Sequence, residues 1–431
     1  MIDIVFNFDN MMSEAIGSKG IEPAAVDSLV PQVRQIHQGL TDLRKLGQLP
    51  FCDLPTQETL IDEVIEKAKR AREAFDYFLV LGIGGSSLGA SMLTTSLGGD
   101  DSSLVVCEFL EYSFWKRKLS QWDLRKILVI VVSKSGKTLE TLAAYAWILE
   151  KLKEKLGVGY RRHLFFITDP REGPLRKIAT VEKDESLSIP PGVGGRYSVL
   201  TPAGLFPAAC AGVDIRKLML GAHRMDQRCQ KEDPWENPAW MTAILHYLFD
   251  RQKNRRIRAL MTYGEKLKGY GPWFAQLWAE SLGKEKSLTG ECLFAGSTPV
   301  CAQGPADQHS QLQLYLEGPE DKTVSFFSYE REMDDLMYPE SVAHIPEIAF
   351  LRGKSAHTLL RAEKEATEQA LTESERPNQS ILLKEITPDT IGQLLMMAEM
   401  ETVFAGELYQ INPFDQPAVE KIKKHIINKL R

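Results

Sequence analysis

The sequence has no excess of basic residues and no long apolar run. Its 431 residues include 52 lysines and arginines against 58 aspartates and glutamates, which gives a formal net charge of −6. A nucleic-acid-binding domain usually carries a basic face, and a membrane-spanning helix needs about 20 consecutive apolar residues. The N-terminus, MIDIVFNFDNMM, also lacks the basic start and long apolar stretch of a signal peptide. The sequence therefore predicts a cytoplasmic protein that binds neither nucleic acid nor a membrane.

Cysteine is scarce, and its spacing is irregular. The chain has six cysteines, and none of them forms a CxxC pair. Such a pattern fits neither a disulfide framework nor a zinc site. We expect reduced thiols.

Apolar runs of strand length alternate with helical periods in the first half of the chain. The runs are YFLVLGIGG (77–85), SLVVCEF (103–109), KILVIVVSKSG (126–136) and HLFFITD (163–169), with a helical stretch at 140–156. Strands that are hydrophobic along their whole length belong to a parallel sheet buried on both faces. The pattern predicts an α/β domain.

The second half of the chain repeats this pattern. Strands are predicted at RIRALMTYG (256–264), ECLFAG (291–296) and KTVSFFSY (322–329), and helices at 238–252, 271–283 and 386–406. The charged run at 364–380 predicts a solvated helix that ends in a loop, and the polar stretch at 221–237 predicts a junction. A second domain of the same architecture follows.

The predicted fold class is α/β, with two doubly wound parallel-sheet domains of three layers (α/β/α). We expect an N-terminal extension at 1–55, a first domain at 56–220, a second domain at 221–405 and a C-terminal helical tail at 406–431. Pro417 suits the first turn of that tail helix, where a missing N–H costs nothing. The packing of the extension stays open, either across a dimer or over the first domain.

The stretch SKSGKT (133–138) ends like a nucleotide-binding P-loop, GxxxxGK[ST]. That motif needs a glycine five residues before Gly136, where the sequence has Val131 inside a predicted strand. The spacing therefore excludes an ATP site. A second loop, LGIGGSSLGA (81–90), nearly matches the dinucleotide motif GxGxxG, but Ser87 replaces its third glycine. Glu108, at the end of the next strand, keeps a nicotinamide dehydrogenase as a minor alternative.

Both loops leave predicted parallel strands and open helices. Backbone N–H groups and the positive ends of helix dipoles then point into one crevice, where anions bind. The hydroxyl groups of Ser86, Ser87, Ser133, Ser135 and Thr138 add donors that suit a monoester phosphate. Either loop alone is also compatible with an ordinary tight turn or helix cap, but two such loops favour a phosphate site.

Six segments together resemble the glucose-6-phosphate isomerases in their short bacterial form. They are LGIGGSSLGA, SKSGKTLET (133–141), GGRYSVLTPAG (194–204), QLWAESLGK (276–284), DQHSQLQLY (307–315) and FDQPAVEKIKK (414–424). The resemblance covers about residues 75–425, and GGRYS and ESxGK are its most specific motifs. It implies two sugar isomerase (SIS) domains, a homodimer, no cofactor and no metal. The implied reaction interconverts glucose 6-phosphate and fructose 6-phosphate through a cis-enediolate.

Such a reaction needs a base that moves a proton between C1 and C2, a group that stabilises the enediolate, and an acid that opens the ring. The resemblance implies that Glu280 is the base and that Arg196 stabilises the enediolate. Gln276 lies one helical turn before Glu280, so both side chains share a polar stripe. A lone glutamate on a helix is otherwise an exposed residue, and a lone arginine a surface ion pair.

Ring opening is assigned through the resemblance to His309 and Lys423. In the relatives the histidine comes from the neighbouring subunit. Lys423 is selected by counting from Asp415, and it falls within an apolar stripe of the tail helix that is expected to face inward (Val419, Ile422, Ile426, Ile427 and Leu430). The implied substrate-binding residues are Gly84, Gly85, Ser86, Ser133, Lys134, Ser135, Thr138 and Gln276.

The sequence departs from the family pattern at two places. Lys137 stands where a threonine is common, and the run GSTPVCAQGPA before DQHS is unusual, which puts the pose of His309 in question. A sugar-phosphate sensor remains an alternative because SIS domains also occur in regulators. That reading is disfavoured because the proposed acid and base are present and no DNA-binding module is evident.

Overall fold

Residues 3–99, 103–108 and 110–430 are described by the computed structural model, and they form two five-stranded sheets and one two-stranded hairpin. The strands are β1 (Ile4–Asn7), β2 (Tyr77–Leu81), β3 (Leu104–Cys107), β4 (Ile127–Ser133), β5 (Leu164–Thr168), β6 (Glu185–Ser188), β7 (Ile257–Tyr263), β8 (Lys284–Lys286), β9 (Cys292–Ala295), β10 (Thr298–Gly304), β11 (Lys322–Tyr329) and β12 (Asn378–Leu383).

The α-helices surround these sheets. They are α1 (Ser13–Ile16), α2 (Pro23–Lys45), α3 (Glu58–Ala74), α4 (Leu88–Leu97), α5 (Tyr112–Leu119), α6 (Leu139–Leu156), α7 (Pro174–Glu182), α8 (Pro202–Cys210), α9 (Ile215–Cys229), α10 (Pro238–Lys253), α11 (Tyr270–Leu282), α12 (Ala306–Ser310), α13 (Leu312–Glu317), α14 (Ala356–Glu373), α15 (Pro388–Leu408) and α16 (Pro417–Leu430). No helix in the described part of the chain is long and apolar enough to cross a membrane.

The first sheet has the strand order β3-β2-β4-β5-β6, and all its pairs are parallel. Its two faces bury alternate residues in different clusters, for example Leu79 and Val129 on one face and Val80 and Ile130 on the other. Burial on both faces explains why these strands are hydrophobic along their whole length. The four strands predicted in this half are confirmed, although Phe109 lies outside the described residues.

The second sheet has the order β1-β12-β11-β7-β10, in which only β1 is antiparallel to its neighbour. Leu260 and Phe327 point into the same large core as Val80 and Ile130 of the first sheet, whereas Met261 packs in a separate cluster on the far side. The fold class is therefore confirmed as two doubly wound, mainly parallel sheets, and their facing sides share one core.

The structure differs in detail from three sequence expectations. ECLFAG is not a strand of the second parallel sheet, because Cys292–Ala295 pairs antiparallel with Lys284–Lys286 in the hairpin. The run at 364–380 is helical to Glu373 and a loop follows, as predicted, but its last residues, from Asn378, begin a strand of the sheet. The stretch at 221–237 is helical as far as Cys229, and it packs so closely on α15 that a Cβ on Gly221 would lie 1.9 Å from the Asp389 carbonyl oxygen.

The N-terminal extension belongs partly to the second sheet. Its strand Ile4–Asn7 pairs with β12 at the sheet edge, and α2 contributes buried residues such as Val33 to the shared core. Arg44 at the end of α2 forms an ion pair with the buried Asp226 of α9, with 2.8 Å between Nη1 and Oδ1. The expected boundaries at 55, 220 and 405 stay predictions.

Candidate active site

The first sheet has a switch point between β2 and β4. The chain leaves β2 through α4 to reach β3 on one side, and it leaves β4 through α6 to reach β5 on the other. Ligands of doubly wound sheets bind where the connections diverge in this way, outside the carboxyl ends of the strands. The two loops singled out in the sequence follow β2 and β4, and the adjacent pairing of Leu81 with Val131 brings them together.

The loop after β4 presents hydroxyl groups at the start of an 18-residue helix, α6. Ser133 Oγ lies 2.8 Å from Thr138 Oγ1, and Ser135 Oγ accepts a hydrogen bond from the backbone N–H of Lys137 at 3.2 Å. Burial lowers the pKa of Lys134, and the nearby Asp169 carboxylate opposes that change. Lys137 is exposed. These groups form the polar, cationic wall that an anion requires.

The loop after β2 packs directly on the GGR segment. Gly84 has a left-handed φ of 59°, and a Cβ there would lie 3.0 Å from Gln276 Nε2. A Cβ on Gly85 would lie 2.2 Å from the Gly195 carbonyl oxygen, which leaves no room for a side chain. Ser86 is half-buried beside them. The glycines therefore join the predicted phosphate loops to the predicted catalytic residues.

Arg196 is buried, and acceptors of the chain surround its guanidinium. Nε donates to Ser281 Oγ at 2.7 Å, and Nη2 donates to the carbonyl oxygens of Pro413 at 2.6 Å and Asp415 at 3.1 Å. Nη1 donates to Gln416 Oε1 at 2.9 Å and lies 3.1 Å from Glu280 Oε1. The five N–H donors of an arginine all have partners in this arrangement.

Glu280 lies between two of the predicted site residues. Its Oε1 faces Arg196, and its Oε2 accepts a hydrogen bond from Gln276 Nε2 at 3.1 Å. The side chain is 27% exposed, so one edge of the carboxylate is open. On the opposite face of α11, Phe274 and Trp278 are buried, and the Arg258 guanidinium lies 4.6 Å and 4.8 Å from their ring centres. The helix thus turns Gln276 and Glu280 together towards the loop at Gly84, as their shared stripe predicts.

His309 is separate from this group within the chain. It lies on the short helix α12 after β10, and its side chain is exposed. Burial raises the pKa of the nearby Glu363 carboxyl, and His309 opposes that change. No contact among the described residues joins it to Arg196 or Glu280.

Lys423 lies in α16, but its side chain is outside the described part of the structure. Three residues of the apolar stripe on which its inward position was predicted are exposed in the single chain: Val419 is 40%, Ile422 58% and Leu430 74% exposed. The expectation that this stripe faces inward is therefore wrong for the chain by itself. The helix start at Pro417 is confirmed.

Three residues at the site were not predicted from the sequence. Ser281 and Gln416 both accept hydrogen bonds from Arg196, and the buried Lys284 donates to the carbonyl oxygens of Glu280 and Ser281. The signal for them was present, because Ser281 and Lys284 belong to the ESxGK motif and Gln416 to the FDQ motif. Neither motif shows by itself that the arginine is the partner.

Comparison with known proteins finds relatives along most of the chain. The family model for phosphoglucose isomerase matches residues 63–431. The glucose-6-phosphate isomerase of Carboxydothermus hydrogenoformans is 39% identical, with 97% of this chain and 92% of that protein aligned. The glucose-6-phosphate isomerase of Rubrobacter xylanophilus is 36% identical, with 98% and 97% aligned.

Solved structures show the same fold. A crystal structure of a Thermus thermophilus protein described as hypothetical superposes with a TM-score of 0.90 at 35% identity, and the match covers 99% of each chain. A crystal structure of the Chlamydia trachomatis glucose-6-phosphate isomerase gives a TM-score of 0.77 at 23% identity, over 86% of this chain and 74% of that one.

The doubly wound fold, the hydroxyl-rich loops at its switch point and the adjacent carboxylate define the class of sugar-phosphate isomerases. The extent of the family match and the identity to the relatives place the chain within that class. It belongs to the phosphoglucose isomerase family.

Proposed function

We propose that Glu280 moves the proton between C1 and C2 of a hexose 6-phosphate while Arg196 balances the charge. The chain is an isomerase that interconverts glucose 6-phosphate and fructose 6-phosphate, a step of glycolysis and gluconeogenesis. The observation that carries the proposed mechanism is the pairing of a half-open carboxylate with a buried guanidinium, 3.1 Å apart, beside the phosphate loops.

Charge moves only a short way in this mechanism. When Glu280 takes a proton from the substrate, its own negative charge disappears and an equal charge develops on the enediolate. Arg196 stays cationic throughout, because a guanidinium does not lose its proton in proteins. Since its donors are all held by Ser281, the segment 413–416 and Glu280, the guanidinium stays in place beside the carboxylate during the reaction. A fixed cation of this kind stabilises the cis-enediolate without reorganising.

The phosphate is assigned to the loops after β2 and β4. Ser86, Ser133, Ser135 and Thr138 supply hydroxyl groups, Lys134 supplies charge, and the first turn of α6 supplies backbone N–H donors. Gly84 and Gly85 allow the loop to approach Gln276 and the backbone of Gly195. A sugar anchored at its phosphate then extends towards Glu280.

Ring opening is assigned to His309 and Lys423, with His309 contributed by a second copy of the chain. Two observations support this. The His309 side chain is exposed and makes no described contact with Glu280 within its own chain. Leu314 is 55% exposed on the next helix, and Leu336 is 70% exposed where it lines a crevice with Pro305 and Ala306 at the start of α12. Exposed apolar residues near α12 support a homodimer contact there.

The proposed setting is the cytoplasm, where hexose phosphates are metabolised. A coupled assay that follows glucose 6-phosphate formed from fructose 6-phosphate tests the activity, with mannose 6-phosphate measured alongside. We expect turnover of fructose 6-phosphate without added metal or cofactor. Absence of turnover would overturn the assignment, and so would a need for a nicotinamide cofactor when the two sugar phosphates are measured directly, without the coupling enzyme.

A further inference from the structure

The buried ammonium of Lys284 lies beside the site but takes no part in the proposed proton transfer. Lys284 lies two residues after the end of α11, and its side chain is only 7% exposed. Its ammonium donates to the Glu280 carbonyl oxygen at 2.9 Å and to the Ser281 carbonyl oxygen at 2.7 Å. These are among the last carbonyl groups of the helix, which have no partner within the helix itself.

The end of α11 has no other strong cap. Helices often close with a glycine in the left-handed conformation, but Gly283 has a φ of −71° and donates only to the Ala279 carbonyl oxygen. The lysine side chain replaces that cap. It therefore fixes the main chain at Glu280, the residue whose carboxylate direction matters for proton transfer.

The same ammonium also lies near the segment that holds Arg196. Its Nζ is 3.7 Å from Asp415 Oδ1, and the carbonyl oxygen of Asp415 accepts a hydrogen bond from Arg196 Nη2. Ser281, whose carbonyl oxygen Lys284 binds, also accepts from Arg196 Nε through its hydroxyl group. Lys284 therefore contacts the main chain of Glu280 and lies near the segment that binds Arg196, but it does not lie between the two side chains.

This placement is costly for a cation. Burial and the neighbouring Arg196 both lower the pKa of Lys284, and Asp415 and Glu280 oppose that change. An ordinary helix cap would not need a second buried charge next to a guanidinium, because a glycine or a neutral side chain can provide one. The ammonium lies close both to the main chain of Glu280 and to the segment that binds Arg196. This position calls for a more specific explanation.

We infer that Lys284 is a positioning residue for the isomerisation: by holding the last turn of α11 against the segment 413–416, it sets the direction of the Glu280 carboxylate relative to Arg196. This role rests on the proposed mechanism. A displacement of about 1 Å in a catalytic group costs roughly 100-fold in rate.

The test compares Lys284→Met, which keeps the chain length but not the donors, with Lys284→Arg, which keeps a cation and several donors. Lys322→Met is the matched control, because Lys322 is also buried, 6% exposed, and donates to a main-chain carbonyl oxygen, that of Pro319 at 2.8 Å. Each variant is assayed for kcat and KM with fructose 6-phosphate, and its thermal midpoint is measured.

We expect Lys284→Met to lower kcat about 100-fold with KM within roughly 3-fold of the wild type. Lys284→Arg should recover kcat to within about 10-fold, and Lys322→Met should lose thermal stability but keep kcat within roughly 3-fold. The inference is overturned if Lys284→Met keeps kcat within that range, if it lowers kcat no more than Lys322→Met, or if Lys284→Arg shows no recovery.

If Lys284→Met does not fold, Lys284→Gln takes its place with the same thresholds. Glu280→Gln, measured in parallel, distinguishes a wrong base assignment from a wrong positioning role for Lys284. Full turnover in Glu280→Gln would refute the base assignment itself, whereas loss in Glu280→Gln with full turnover in Lys284→Met refutes only the positioning role.

Discussion

Arg196 Nη1 lies 3.1 Å from Glu280 Oε1, and every other donor of that guanidinium is held by the chain. The arginine is therefore a fixed charge and not a flexible ligand for substrate. Its buried position means that the pair cannot separate without leaving several hydrogen bonds unmade. The Glu280 carboxylate is 27% exposed and is therefore the member of the pair that substrate can reach.

The fit between Gly85 and Gly195 gives a first prediction. In Gly85→Ala the new methyl group would meet the Gly195 carbonyl oxygen at 2.2 Å, so the loop after β2 has to move away from the catalytic pair. We expect kcat/KM for fructose 6-phosphate to fall at least about 100-fold. Gly39→Ala serves as the control, because a Cβ there meets nothing within 4 Å. If both variants are as active as the wild type, the loop is not part of the site.

The contribution of His309 by a second copy can be tested by subunit mixing. Glu280→Gln and His309→Ala chains are each expected to be nearly inactive alone. If His309 acts across the interface, a mixed dimer contains one site with both native residues, and an equal mixture regains about a quarter of wild-type activity. Both chains must be unfolded and refolded together, or co-expressed, so that they exchange. Activity no greater than the sum of the separate variants would show that His309 acts within its own chain or not at all.

A buried carboxyl away from the chemistry gives a prediction about stability. Glu399 on α15 is fully buried, and neither of its side-chain oxygens has a hydrogen-bond partner among the described residues. Burial raises the pKa of this carboxyl well above its ordinary value of 4.5. Above that value the native state holds a proton that the unfolded state has lost, so the stability of the wild type falls as pH rises, by about 1.4 kcal/mol per pH unit until the native group ionises.

Glu399→Gln removes this dependence. The thermal midpoint of the variant, relative to the wild type, should therefore rise as the pH increases above the ordinary carboxyl pKa of 4.5. Glu373→Gln, an exposed glutamate on α14, is the control and should follow the wild type. A constant difference between Glu399→Gln and the wild type over this range would contradict the account.

Much of the fold was predictable because buried parallel strands carry a strong signal. β2, β4 and β5 consist almost entirely of apolar or β-branched residues, and each was found. The strand β12 was missed because it begins with three polar residues, Asn378, Gln379 and Ser380. They are buried, and their side chains form hydrogen bonds with Thr372, Ser325 and Glu368 respectively. Those partners come from other elements, so no local pattern shows them.

The site, like the fold, was only partly predictable from the sequence. The grouping of Gln276 with Glu280 follows from helical spacing, and the hydrogen bond between them confirms it. The hydrogen bonds around the Arg196 guanidinium do not follow from spacing, because their acceptors Ser281 and Gln416 are 85 and 220 residues away from it in the chain. Long-range partners of this kind become visible only once the two sheets share a core.

The most direct test of the mechanism measures proton transfer by Glu280. Glu280→Gln keeps the shape of the side chain and a hydrogen-bond acceptor but removes the base. We expect isomerisation of fructose 6-phosphate, and exchange of its C1 proton with deuterated water, to fall by at least about 1000-fold. Binding of the sugar phosphate should stay within roughly 3-fold, because the phosphate loops are untouched. Exchange and turnover within about 10-fold of the wild type would contradict the assignment of Glu280 as the catalytic base.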